Sequence, residues 1–157
     1  MKDRDKRAAD GPTDPRREVG CDAERRAARH LTRRGWRILE RNWRIGAGEL
    51  DLVCLTRRTI VFVEVKALRQ GSSKSGPERP VLAVGPLKRE RLVRLGEAWL
   101  SGPGRAQADR WDEVRFDVIG IEYGRRRSRP SLEHLVDAFR PRDPLLRPPS
   151  RRHRGWR

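Results

Sequence analysis

Lysine is scarce in this chain of 157 residues. Five lysines stand against 33 arginines, and acidic residues are outnumbered 22 to 38, leaving a net charge of +16. Cysteine is thin as well: Cys21 and Cys54 are the whole supply, too few for a disulfide scaffold or a four-ligand zinc site. Long apolar runs are missing. The longest stretch without a charge is residues 80–87, eight residues, against the roughly 18–20 that cross a bilayer, so no membrane helix is expected. The start of the chain, Met1 to Lys6, has no apolar h-region, which speaks against a secretory signal. A cytoplasmic protein with reduced thiols is the expectation. No Gly-rich phosphate loop or dinucleotide fingerprint is present either, because no helical pattern follows Gly46-Ala47-Gly48.

The length fits one domain. With 35% hydrophobic and 38% charged residues, any core must be compact and fed by a few apolar runs. The positive charge suggests an anionic partner, nucleic acid being the commonest, although arginine excess also follows from GC-rich codon usage. Residues 1–20 carry a net +1, residues 21–124 a net +7 and residues 125–157 a net +8. Half of the excess therefore sits in a C-terminal segment of 33 residues, much of it too poor in apolar side chains to fold alone. Residues 1–17 read as a flexible lead, 18–139 as the folded domain and 140–157 as a basic Arg/Pro-rich tail.

Within the domain, Ala23, Ala27, Ala28 and Leu31 form a helical stripe over residues 18–34, ended by Gly35. Residues 36–44, 49–55 and 59–66 read as strands, the last two joined as a hairpin. Residues 70–80 form a Gly/Ser/Pro loop, 87–100 a second helix, 101–109 a turn-rich break and 113–122 another strand. Residues 132–139 read as a last short strand or turn. The order α-β-β-β-α-β predicts an α/β fold with one small mixed central sheet flanked by helices.

A turn centred between Arg57 and Arg58 sets the hairpin register. Leu50, Leu52 and Cys54 then face Val65, Val63 and Val61, while on the other side Leu55, Val53 and Asp51 face Ile60, Phe62 and Glu64. Glu49 faces Lys66. Directly opposed like charges are destabilising, so Asp51 against Glu64 calls for a cation. Mg²⁺, or Mn²⁺ in its place, suits two carboxylates completed by water and phosphate oxygens. With Lys66 two residues beyond Glu64 on the same face, the set reads as a phosphodiester-hydrolysis site. The plainer alternative is a salt-bridge cluster in which Lys66 screens both acids. Glu24 shares the inward stripe of the first helix and either completes the site or pairs with an arginine.

At these residues the sequence resembles the YraN-type family of bacterial endonuclease-like proteins, a small branch of the restriction-endonuclease-like PD-(D/E)xK nucleases akin to archaeal Holliday-junction resolvases. The matching tracts are Ala23-Glu24, Asn42-Trp43-Arg44, Gly48-Glu49-Leu50-Asp51-Leu52-Val53 and Val61-Phe62-Val63-Glu64-Val65-Lys66, then Ala83-Val84 with Lys88, and Arg115-Phe116-Asp117-Val118. The resemblance covers residues 20–139. It implies a restriction-endonuclease-like fold, with Asp51, Glu64, Lys66 and Glu24 as the catalytic set and Asp51, Glu64 and Val65 as the metal set. It further implies metal-dependent hydrolysis of DNA, with branched or damaged DNA as the candidate substrates; the oligomeric state stays open, a homodimer being one option. The alternative is a binding module that keeps the fold without catalysis. After the signature lysine, Ala67-Leu68-Arg69 replaces the usual Thr-Arg, so the neighbouring basic contact is shifted or lost.

Arg44, Arg69 and Lys88 are candidate nucleic-acid contacts, though a lysine on the apolar stripe of the second helix more simply snorkels to solvent. Arg115 and Asp117 read as an ion pair at a strand edge. Trp36, Trp43, Trp99 and Trp111 read as core or rim aromatics and Cys54 as core. His30, His134 and His153 share no metal spacing and are given no role.

Overall fold

The computed structural model describes residues 14–46, 48–69, 84–124 and 128–141. The expected loop at 70–80 and most of the lead and tail lie outside the described residues.

Helix α1 (Pro15–Arg33) begins three residues before the apolar stripe suggested. Asp14 caps it by accepting the Arg16 N–H at 2.9 Å, and proline at the first helical position is preorganised for the turn. At the other end the Gly35 N–H donates to Thr32 O and the Trp36 N–H to Leu31 O. These paired bonds need a left-handed residue, which Gly35 supplies at φ 80°.

Strands β1 (Arg37–Ile45), β2 (Gly48–Thr56) and β3 (Thr59–Arg69) form an antiparallel meander. Helix α2 (Pro86–Ser101) and a 3₁₀ helix (Pro103–Arg110) lead to β4 (Glu113–Tyr123), which pairs parallel to β3. Residues 131–139 resolve as a full strand, β5 (Ser131–Phe139), antiparallel to β4. The sheet order is β1-β2-β3-β4-β5. A parallel pair needs a helical crossover, and α2 lies on it. This mixed sheet with helices on both faces is consistent with a restriction-endonuclease-like α/β fold.

The strands alternate between two cores. Ala23, Ala27, Ala28 and Leu31 of α1 cover Leu52, Cys54, Val61, Val63, Ile119 and Ile121. Leu92, Leu95 and Trp99 of α2 cover Val53, Ile60, Phe62, Phe116 and Val118 on the opposite face. Phe62 stacks on Phe116 at 5.2 Å between centroids and meets Trp99 edge-on at 5.9 Å. Gly96 lets α2 approach this aromatic layer: a Cβ there would stand 2.9 Å from Phe62 Cε2 and 3.2 Å from Phe116 Cζ. Gly96→Ala is therefore expected to destabilise the protein by about 1–2 kcal/mol in urea unfolding, because overpacking against buried rings exceeds the ~1 kcal/mol gain in helix propensity. A stabilised variant would show that the rings yield.

The hairpin register is the expected one, from Thr56 opposite Thr59 to Leu52 opposite Val63, and the turn that sets it has two residues. Arg57 adopts φ 51°, a left-handed conformation costing a non-glycine residue roughly 1–2 kcal/mol. The turn is fastened to β4: Asp112 N–H donates to Arg58 O at 2.7 Å, and the Arg58 guanidinium pairs with the Asp112 carboxylate. The expected alternation fails beyond Leu52. Leu50 packs into the α2 core while Val65 packs against the α1 core, so they do not share a face. Asn42 lies opposite this break, between Arg41 paired with Leu52 and Trp43 paired with Leu50, and it adopts φ 50°. Asparagine tolerates this region better than most residues, and the distortion of β1 coincides with the change of face in β2.

Candidate active site

The register break places Asp51 where its side chain does backbone work. Asp51 Oδ2 accepts the N–H of Val65 at 2.7 Å, so a carboxylate stands in for a ladder carbonyl. Glu64, one residue earlier on β3, is 4% exposed and Asp51 is 8% exposed. Glu64 Oε1 accepts from Lys66 Nζ at 2.7 Å and pairs with Lys88 Nζ at 3.2 Å. Its other oxygen, Oε2, is buried and meets no donor among the described residues.

Lys88 corrects the expectation that it snorkels to solvent. It stands in the first turn of α2, and the crossover brings that turn over β3, where an ammonium finds the buried Glu64 carboxylate. A signal for it was present: Lys66 and Lys88 are the only lysines among the described residues of an arginine-dominated chain, and both bind one oxygen. An ammonium is a compact point charge, whereas a guanidinium is a planar fork.

Glu24 is half-buried on α1. Among the described residues it forms no salt bridge, and its charge is felt at Asp51. Glu49 does not join the cluster facing Lys66; it pairs with Arg44 at 2.7 Å on the exposed end of β1–β2. Arg44 is thus engaged by an acid, while Arg69 ends β3 exposed, three residues beyond Lys66.

Burial and the charge of Glu64 push the Asp51 carboxyl up to about 7, against the opposing pull of the Val65 N–H. Two buried acids, one with an orphaned oxygen, fit a hard divalent cation, which would relieve both the repulsion and the missing partner. No group of three or more His, Cys, Asp or Glu among the described residues is arranged to hold a metal. Asp51 and Glu64, with the main-chain oxygen of Val65 as the only ligating atom that residue offers, are the available set. A site of one or two carboxylates completed by solvent and phosphate suits Mg²⁺.

A second polar cluster lies under α1. Asp117 is 1% exposed, on a strand with neighbours on both sides, which corrects its placement at a strand edge. It accepts from Arg115 at 2.8 and 3.1 Å and from the Asp137 N–H at 2.9 Å, and it bonds His134 Nε2 at 2.8 Å. His134, given no role from spacing, is its partner from β5. Arg115 also lies over the Trp36 ring, 5.5 Å from its centroid. Burial alone would raise the Asp117 carboxyl, but His134, Arg115 and the Asp137 amide hold it below the ordinary 3.8. Trp99 and Trp111 are buried and Trp36 and Trp43 partly so, and Cys54 is wholly enclosed, its thiol pushed up to about 12 by burial. Among the described residues no helix is long and apolar enough to cross a membrane.

Comparison with known proteins places this arrangement in a lineage. The model of the family described as Uncharacterised protein family UPF0102 matches residues 23–121, a span holding Glu24, Asp51, Glu64, Lys66 and Lys88. A UPF0102 protein of Mycobacterium avium (strain 104) is 45% identical over 120 residues, covering 75% of this chain and 87% of the relative. One from Nitratidesulfovibrio vulgaris (strain DP4) is 43% identical over 127 residues, covering 80% and 87%. One from Anaeromyxobacter dehalogenans (strain 2CP-C) is 40% identical over 131 residues, covering 83% and 90%. On this coverage and identity, the chain belongs to the UPF0102 family, the YraN-type, nuclease-like group whose motifs it carries.

Proposed function

We propose that this protein is a metal-dependent endonuclease that hydrolyses phosphodiester bonds in DNA. The observation that carries the reading is the pair of buried carboxylates, Asp51 and Glu64, with Lys66 and Lys88 gathered on one Glu64 oxygen and the other oxygen meeting no donor among the described residues. Asp51, Glu64 and the Val65 main-chain oxygen would hold Mg²⁺ or Mn²⁺. When bound, the ion supplies Lewis-acid stabilisation of phosphate charge and eases deprotonation of water.

The chain's own groups do the rest. Lys66 and Lys88 are similarly open to solvent, 29% and 32% exposed at their side chains; Lys66, on the strand beside both acids, orients the attacking water and steadies developing negative charge. Lys88 holds the Glu64 carboxylate in position when Lys66 turns to substrate. The Val65 N–H holds the Asp51 carboxylate in one rotamer. Glu24 adds negative potential from the helix side, which strengthens cation binding.

The test is a cleavage panel of duplex, flap, four-way-junction and single-stranded DNA with Mg²⁺ or Mn²⁺, run with wild type and Lys66→Ala. Cleavage of at least one substrate, lost in the variant, is expected. Salt-dependent binding with no turnover by wild type, unaffected by Asp51→Ala and Lys66→Ala, would instead identify a binding module on a nuclease fold. The resemblance to junction resolvases makes branched and damaged DNA the first substrates to try.

A further inference from the structure

We infer that the groove between α1 and the start of β5 is a second nucleic-acid contact, a cradle for the phosphodiester backbone that lies on the same helix as Glu24. The inference rests on the nucleic-acid reading above. Arg26, Arg29, His30, Arg33 and Arg34 line a groove of about 460 Å³, and their spacing of i, i+3, i+4, i+7 and i+8 puts them on one side of α1. Ile121 and Leu132 line the facing wall.

Among the described residues, one of the four groove arginines is paired with an acid and three are not. Arg26 is held by Asp22 at 2.6 Å, and Asp22 is in turn held by the Tyr123 hydroxyl at 2.8 Å, which anchors one end of the row. Among the described residues no carboxylate pairs with Arg29, Arg33 or Arg34. Glu122 and Glu133 alternate along their strands with Ile121 and Leu132, so they belong to the other face of the sheet. His30 Nε2 is buried and has no partner among the described residues. Arg29 and Arg33 also stand at i, i+4, a like-charge spacing that weakens a helix. A polyanion in the groove would account for the unpaired arginines and their like-charge spacing.

The length of the row selects the ligand. Arg26 to Arg34 spans about 12 Å along a helix rising 1.5 Å per residue, whereas one nucleic-acid strand places a phosphate about every 3.4 Å of axis. A row of this length matches three or four nucleotides rather than one phosphate. Guanidinium forks suit phosphate oxygens in a way that a point charge does not.

The decisive measurement is fluorescence anisotropy with short labelled DNA and RNA duplexes, in EDTA so that cleavage does not intervene, across a KCl series. Arg29→Ala/Arg33→Ala in the full chain removes two exposed charges from the groove. Arg94→Ala/Arg105→Ala, on α2 and the 3₁₀ helix, removes the same charge elsewhere. The groove variant is expected to make the slope of log affinity against log salt shallower by about two, with little change in the control. The DNA and RNA arms show which backbone the groove prefers. A wild-type slope in the groove variant, or an equal change in the control, overturns the groove and leaves the active-site reading standing. Failure of wild type to bind either duplex at low salt also overturns the groove, whereas the active-site reading is decided by the cleavage panel.

Discussion

Converting Asp51 to asparagine is expected to lower metal-dependent cleavage by at least about 10²–10³-fold, with the fold intact. Asparagine keeps an oxygen to accept the Val65 N–H, so the strand contact at 2.7 Å survives. It removes one of two buried like charges, so thermal stability without metal should be unchanged or higher. The separation of these effects is the point of the substitution. A structural role would move stability, whereas a metal-holding role moves cleavage and leaves DNA binding in EDTA untouched. Lys66→Ala should fall by a similar factor and also stay folded, because Lys88 still faces Glu64 at 3.2 Å. Rates on the best substrate of the panel, read beside melting curves, check both. Full activity in Asp51→Asn would remove these carboxylates from the chemistry.

Asp117→Ala should produce the largest stability loss among single substitutions at described polar residues, about 3–5 kcal/mol. It strands the Arg115 guanidinium, His134 and the Asp137 N–H in a site where the acid was 1% exposed. For a domain of this size that corresponds to a melting temperature lower by roughly 10 °C. Asp117→Asn should cost less, since its amide oxygen can still accept one of those bonds. The acid limb gives an independent readout. A carboxyl held below its ordinary 3.8 contributes stability that is present above that value and is lost as the pH falls through the folded value. Asp117→Asn should therefore flatten the pH dependence below about pH 3.8 and leave the shape above it unchanged. Urea titrations at several pH values check the sign, and an unaltered acid limb would mean that other carboxylates control it.

Much of the fold was legible because its signals are local. The alanine stripe of α1, the turn centred between Arg57 and Arg58, and the alternation through Cys54 and Val61 depend on helical or strand period and on where the turn is centred. So does the nomination of Asp51, Glu64 and Lys66, since a hairpin register brings them together by counting. The count failed at Leu50, where one left-handed residue on the neighbouring strand, Asn42, goes with a change of face that no periodicity in β2 announces.

What the sequence determined by itself was therefore the elements, the hairpin and the identity of the acids. Local period and the position of the turn suffice for those. Only the tertiary structure decided which distant residues complete them. Lys88 meets Glu64 because the α2 crossover returns over the sheet. Asp117 meets His134 because β5 pairs beside β4. Both contacts join elements whose separation along the chain carries no spacing rule. The scarcity of lysine was visible from the start, but its meaning was not: the two described lysines converge on one buried glutamate only once the sheet has formed.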